Sequence, residues 1–345
     1  MQLPIMPGNA APRRLGKTSV MLTPVGLGGG PMGDMFENLD EDKVRATFRG
    51  AWDAGIRYFD TSPWYGRGLS ELRFGEALRQ RPRSDFILST KIGRTFHRPK
   101  DVDTFKGPFW YGGLSFQERF DYTYDGVMRA YEQSQMRLGI NRIDLLLIHD
   151  LDVPHVGSAD LVAQHFLDLE RSGWRALEML KHYGEIQGIG AGVNVLGTIP
   201  EMLKRFDLDF FLVAMPYTLI DQGPLDLEFP LCQERGVGVV IGSPFASGIL
   251  ATGAGVPTPY YRYTPAAPEI IEKVRKIEAV CAAHKVPLKA AAFQFVLRHP
   301  IVASVISGAV TPEQAAENVS LLGVAIPDAF WSDLRQQGLI DARAP

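Results

Sequence analysis

Eight short apolar runs, separated by longer amphipathic stretches, constrain this chain more than any other feature. They lie at 24–28 (PVGLG), 56–60 (IRYFD), 86–91 (FILSTK), 143–149 (IDLLLIH), 186–194 (IQGIGAGVN), 210–216 (FFLVAMP), 238–243 (GVVIGS) and 302–307 (VASVIS). Runs that are continuously apolar, rather than alternating, read as strands covered on both faces, as in a parallel sheet. Helical periodicity fills the gaps. The stretch 40–54 reads as a helix. The stretch 124–138 puts Val127, Tyr131, Ser134 and Leu138 on one face, and 270–284 does the same with Ile270, Val274, Ile277 and Cys281. Thr198 with Glu201, and Thr311–Pro312 with Gln314, read as helix-starting capping boxes. Eight strands alternating with helices predict a (β/α)8 TIM barrel.

A doubly wound Rossmann sheet is the competing architecture. Its glycine fingerprint has to open a helix directly after a strand. Residues 26–30 run into Pro31 and Met32 instead, and residues 188–192 give no such motif. Glycine at these places fits close backbone approach at a barrel mouth. No Pro/Ser-rich linker divides the chain, so it reads as one domain, 1–345, with 1–13 a flexible N-terminal segment. The segment RRLGKTSVMLTP before the first strand reads as an N-terminal β-hairpin over the barrel floor. Two connections are long: 92–122, with Phe96, His97, Phe105, Phe109, Trp110, Tyr111, Phe116 and Phe120, and 244–267, with Phe245, Tyr260, Tyr261 and Tyr263. Long loops inside a compact domain are usually functional, and after a barrel strand they stand at the C-terminal face, where barrel active sites lie.

Composition excludes several classes. With 46% hydrophobic and 22% charged residues and a net charge of -3, the chain has no electrostatic reason to seek nucleic acid or an anionic membrane. Cys232 and Cys281 sit in apolar helical patterns and make no disulfide framework. There is no apolar run of about 18 residues, and the N-terminus lacks an apolar signal core. The reading is a reduced, cytoplasmic protein; nothing in the sequence specifies an oligomeric state.

The chemistry sits at the ends of the apolar runs. Asp60 ends the second, Lys91 the third and His149 the fourth, and Tyr65 follows in the loop after the second. A phenol near pKa 10 becomes a usable acid or base only when a cation stabilises its phenolate. Lys91 can be that cation, Asp60 can hold Lys91 in place, and His149 can orient what the phenol touches. Such a set moves a proton at an alcohol or carbonyl carbon. Metal-dependent barrel hydrolases, by contrast, need clustered ligands, typically beginning with His-x-His on the first strand, and that strand has none. His149, Asp150, Asp152 and His155 occupy a strand end and its loop, and no metal is expected.

These residues resemble the aldo-keto reductase superfamily. GIRYFDTSPWYGRGLSELRFGEAL is similar to its first signature, LLLIHD to its second region and VISGAVTPEQAAENV to its third, so the resemblance runs from about Arg14 to Leu334. The DTSPWYG and GIGAGVN forms most resemble the D-threo-aldose 1-dehydrogenase group, which includes L-fucose, L-galactose and pyridoxal 4-dehydrogenases. The resemblance implies Tyr65 as general acid/base, Lys91 as its pKa-lowering partner, Asp60 as the ion pair to Lys91, and His149 as the group that orients the substrate oxygen and helps the proton move. It implies Asn194 on the nicotinamide carboxamide, Tyr217 stacked on the nicotinamide ring, and Ser243, Ala246, Gly248 and Leu250 around the pyrophosphate. It also implies Ser307 and Gly308 beside the cofactor and Asn318 at the adenine. Val193 stands where the family often has serine.

Where family members that use NADP place cationic and hydroxyl groups around the 2′-phosphate, this chain has Gly308, Ala309 and Gln314. NAD is therefore expected over NADP, because charge-assisted bonds are the strong ones. Trp64 and Trp110 are expected to stack on a sugar or pyridine face. Arg67, Arg94 and Arg98 either meet hydroxyls or are solvated. The expected activity is oxidation of a cyclic hemiacetal, such as an aldose, at its anomeric carbon to a lactone, with pyridoxal as the alternative substrate. The resemblance also admits an NADPH-dependent aldehyde or ketone reductase and a redox-sensing regulatory subunit.

Overall fold

The structure, a computed structural model, describes residues 3–345 apart from Lys106, Pro108 and Met215. Eight parallel strands close into a barrel: β1 Val25–Gly28, β2 Tyr58–Asp60, β3 Ile87–Ile92, β4 Leu145–His149, β5 Gly188–Val193, β6 Phe210–Ala214, β7 Gly238–Gly242 and β8 Val302–Ser307. They follow one another around the ring in chain order, and β8 closes on β1 from Val305↔Val25 to Ser307↔Leu27. All eight apolar runs are strands: 302–307 matches β8 residue for residue, and the other seven are trimmed at one or both ends or shifted by a residue. Ile186 is held by the preceding helix, its N–H on Leu180 O. The last part of the 210–216 run includes Met215, which lies outside the described residues.

The three helices read from apolar periodicity are present. Asp40 caps the helix Glu41–Asp53 with its side chain on the N–H groups of Asp42 and Lys43. The helix Tyr124–Leu138 buries Val127, Tyr131, Ser134 and Leu138 as its spacing requires. Pro268–His284 buries Val274, Ile277 and Cys281. The expected box at Thr198 does not form. Gly197 is the capping residue there, and Glu201 turns instead to Arg205. At the other box Thr311 accepts from Gln314 N, but the Gln314 side chain reaches back to Val310 N at 2.8 Å rather than to Thr311.

The barrel interior is closed below by the hairpin Arg13–Arg14/Met21–Leu22. Its Leu15, Val20 and Leu22 join Tyr58, Leu145, Leu147, Phe210 and Val240 in a buried plug. Gly190 belongs to this packing: a Cβ there would meet the Phe210 ring at 2.5 Å. Glycine on β5 therefore makes room for a ring inside the barrel as well as lining the mouth. The reading of 1–13 as a flexible segment needs correction for its described residues. Met6 is buried in the core, Met6 and Ala10 exchange backbone hydrogen bonds, and Gly8 packs against Leu322. Met1 and Gln2 lie outside the described residues.

Both long connections carry structure of their own. The first forms an antiparallel hairpin, Arg94–His97 with Gln117–Phe120. The second forms a short ribbon, Tyr260–Tyr261 with Thr264–Pro265. Both rise from the C-terminal ends of barrel strands, over the cavity described next.

Candidate active site

Parallel register gathers the polar strand ends. Asp60 pairs with Gly28 on one side and Ser89 on the other, Lys91 pairs with Leu147, and His149 with Gly192. Adjacent strands therefore deliver Asp60, Lys91 and His149 to one wall of the mouth. The loop after β2 brings Tyr65 to them through a turn in which Gly66 and Arg67 both have left-handed φ. The mouth encloses a cavity of about 430 Å³ lined by all four residues.

Lys91 Nζ donates to Asp60 Oδ2 at 2.7 Å and to Thr61 O at 2.8 Å, and both ion-pair partners are 1% exposed. Ser89 Oγ donates to the other Asp60 oxygen at 2.6 Å. Lys91 Nζ lies 4.7 Å from the centre of the Tyr65 ring. The Tyr65 and His149 rings meet edge-on at 5.8 Å. Burial pushes the Tyr65 phenol well above its ordinary value; Asp60, Asp150 and Tyr263 push the same way and Arg94 opposes. The phenol is thus held protonated at neutral pH, as an acid. Burial, followed by Arg94, Lys91 and His155, drives the His149 imidazole well below its ordinary value, so His149 is neutral.

Trp64 and Trp110 line the cavity beside Tyr65, with the Trp110 ring 5.7 Å from Trp64 and 5.9 Å from Tyr65. Asn194 lines it too, and its Nδ2 donates to Asp150 at 2.8 Å. At the far end stand Ser243 and Gly248 after β7, Ser307 at the end of β8, and Gly308 and Gln314 after it. The turn after β7 is conformationally unusual: Ser243, Ala246 and Ser247 all have positive φ. Non-glycine residues rarely adopt that region, and such clusters mark functional sites.

Four expected contacts are not made in this geometry. Tyr217 is fully buried between Phe229 and Phe295, away from the cavity wall, so it does not stack on a ring bound there. Gly242 lines the wall at the end of β7 instead. Ala246 and Leu250 are buried in the apolar core, leaving Ser243, Ser247 and Gly248 as the wall of that turn. Asn318 lies behind the wall, donating to Ser307 Oγ at 2.9 Å, so it pins the turn that lines the cavity.

Neither Arg67 nor Arg94 is solvated. Arg67 donates to the carbonyls of Leu114 and Gly112, and Arg94 is 4% exposed with Nη1 3.1 Å from His149 Nδ1. Arg98 is exposed. Sequence reasoning gave Asp150 and His155 no place in the proton-handling set. Both line the cavity, and Asp150 Oδ2 lies 3.1 Å from His149 Nε2. The available signal was an acidic residue directly after a strand end that already carried a functional histidine. Among the described residues, no group of three or more His, Cys, Asp or Glu side chains is arranged to hold a metal ion. No helix among them is long and apolar enough to cross a membrane.

A closed parallel barrel with a lysine-backed tyrosine and a neutral histidine in its C-terminal mouth defines a class of enzyme that moves protons at alcohols and carbonyls. Residues 24–337 match the aldo/keto reductase family model, and the chain belongs to that family. It is 41% identical over 337 residues to pyridoxal 4-dehydrogenase of Microbacterium luteolum, covering 95% of this chain and 97% of that one. It is 36% identical to the D-threo-aldose 1-dehydrogenase of a Pseudomonas species, covering 92% and 94%. Among solved structures it resembles the holo form of aldo-keto reductase AKR11C1 from Bacillus halodurans, with a TM-score of 0.75 at 26% identity over 99% of this chain and 98% of that one. The protein is accordingly an oxidoreductase of this family, acting with a nicotinamide cofactor on a small molecule.

Proposed function

We propose that the protein oxidises a cyclic hemiacetal to a lactone with NAD. The observation that carries this reading is the cavity itself: Tyr65, Lys91, Asp60 and His149 on one wall, and the flat indoles of Trp64 and Trp110 beside them. Indole faces suit a sugar or pyridine ring. The names of two relatives support the choice, because pyridoxal closes on its own hydroxymethyl group as a cyclic hemiacetal. Aldoses and pyridoxal thus share one reacting unit.

In the oxidative direction the hemiacetal hydroxyl gives its proton to the Tyr65 phenolate, and His149 donates a hydrogen bond to the same oxygen. The nicotinamide, when bound, supplies the hydride acceptor. Asn194, Ser243, Gly248, Ser307 and Gly308 are the residues that would hold it. The unusual turn at Ser243–Ser247 and the wall Gly308 presents fit an extended dinucleotide. Trp64 and Trp110 position the ring and keep water from the reacting carbon. Because the Tyr65 phenol is held above its ordinary value, phenolate forms only on the alkaline side, and oxidation should quicken as pH rises. The same feature favours the reverse, carbonyl-reducing direction at neutral pH.

The test is a panel of L-fucose, L-galactose, D-arabinose and pyridoxal with NAD or NADP at alkaline pH, following reduced cofactor. Turnover of at least one hemiacetal is expected. Turnover confined to reduction of open-chain aldehydes or ketones, with NADPH, would replace this reading.

A further inference from the structure

The two ring nitrogens of His149 have different neighbours, and one determines the state of the other. Nδ1 lies 3.1 Å from Arg94 Nη1 and 3.0 Å from Ser62 Oγ. A guanidinium only donates. Nδ1 therefore presents its lone pair, and the neutral ring carries its proton on Nε2. That proton faces Asp150 Oδ2 at 3.1 Å, and a carboxylate only accepts. Asp150 sits at φ 44°, a left-handed backbone, and Asn194 holds its other oxygen at 2.8 Å.

Arg94 itself is 4% exposed and forms no salt bridge among the described residues. Its guanidinium lies 5.1 Å from the Trp64 ring and 4.8 Å from that of Phe120. A buried cation with no carboxylate in salt-bridge contact is expensive to keep, and its hydrogen bond among the described residues is to His149.

We propose that Arg94 is a positioning residue for the reaction: it fixes the His149 proton on Nε2, and Asp150 accepts that hydrogen bond until a substrate oxygen takes it. This rests on the Tyr65-centred reading above and adds to it that His149 is a donor only. With Nδ1 facing a cation, the ring cannot take up the proton that Tyr65 receives. Proton transfer belongs to Tyr65 alone. The charged and titratable groups around the ring agree. Lys91, from the neighbouring strand, Arg94, from the hairpin after β3, and His155, from the loop after β4, oppose a second proton on it, as does burial. Asp150 beside Nε2 and Asp60 behind Lys91 are the nearby anions, and Tyr65 is the uncharged neighbour.

The experiment is nitrogen NMR of the full chain labelled with 15N-histidine, with His149→Gln identifying the His149 signals. The unmodified protein should show Nε2 protonated and Nδ1 bare. In Arg94→Met only the Ser62 hydroxyl, which can donate or accept, faces Nδ1, so a fraction protonated on Nδ1 should appear beside the Nε2 form that Asp150 still favours, and the ring should protonate at higher pH. With the most active panel substrate, kcat should fall about fivefold or more, bounded by the roughly 10²–10³-fold cost of losing a donor to a developing oxyanion. NAD affinity should hold. Arg94→Lys, which keeps a donor, should restore the Nε2 tautomer and most of kcat. An unchanged tautomer in Arg94→Met overturns the proposal whatever the rate. If that variant does not fold, the unmodified protein decides alone, and a proton on Nδ1 overturns it. The spectra need neither substrate nor cofactor, so an inactive substrate panel would sink the proposed activity without touching this assignment.

Discussion

NAD should surpass NADP in kcat/KM by roughly tenfold or more, and the structure supplies the arithmetic. The end of the cavity where a 2′-phosphate would enter is walled by Gly308, Ala309, Val310 and Gln314. Lys91 is the one lysine or arginine among the described residues lining the cavity, and it is bonded to Asp60 at 2.7 Å. A phosphate dianion entering here loses water and gains no cation. Hydrogen bonds to charged groups contribute about 1.5–3 kcal/mol each. The absence of a single such bond, at about 1.4 kcal/mol per decade, already gives roughly tenfold or more.

Supplying charge should reverse part of the preference, but the site limits where. A Cβ on Gly308 would lie 2.5 Å from Pro31 Cγ, so lysine there would displace the loop after β1. Gln314 is exposed and the only described hydrogen bond of its side chain is the one from Val310 N, a cap whose loss costs about 0.5–2 kcal/mol. Gln314→Arg should therefore fold, raise kcat/KM for NADP several-fold and leave NAD nearly unchanged. Steady-state kinetics with both cofactors at fixed substrate are the assay. Equal kcat/KM for NAD and NADP in the unmodified enzyme would refute the argument.

Three further outcomes follow from the site. Tyr65→Phe keeps the ring and removes the proton carrier, so kcat should drop about 10²–10⁴-fold with NAD affinity retained; a drop of only a few-fold would remove Tyr65 from the reaction. Lys91→Met leaves Asp60 buried without its cation, which should cost about 3–5 kcal/mol in urea unfolding. It should also move the alkaline limb of the oxidation profile to higher pH, and an unmoved limb would make Lys91 purely structural. His299 has its pKa pushed down to about 4 by burial. Between about 6.5 and that value the unfolded chain binds a proton that the folded chain does not, so stability falls as pH drops through this window. His299→Phe should flatten that fall by up to about 3 kcal/mol, read from urea midpoints across the window; an equal slope in both proteins would contradict it.

The barrel was legible because each strand is buried on both faces and so is written as an unbroken apolar run. Asp60, Lys91 and His149 were legible because a functional residue at a strand end interrupts such a run. The hairpin Arg94–His97/Gln117–Phe120 was not. Its second strand, QERF, is half exposed and polar, and its pairing spans a long loop. Arg94 reaches His149 only through that hairpin, which is why sequence reasoning could offer it only substrate hydroxyls or solvent. Tyr217 and Leu250 show the opposite limit. Motif similarity located them near the cofactor, but their side-chain directions are set by distant partners, Phe295 from a late helix in the case of Tyr217. Asp150 depends on a left-handed φ, which no residue spacing encodes.

The most direct measurement of the central claim uses L-fucose, or whichever panel hemiacetal turns over best, deuterated at the anomeric carbon. With NAD at alkaline pH, the deuterium should appear on the nicotinamide ring of the reduced cofactor, in step with formation of the lactone. Reduced cofactor carrying no deuterium, or a product oxidised at any other carbon, would contradict it.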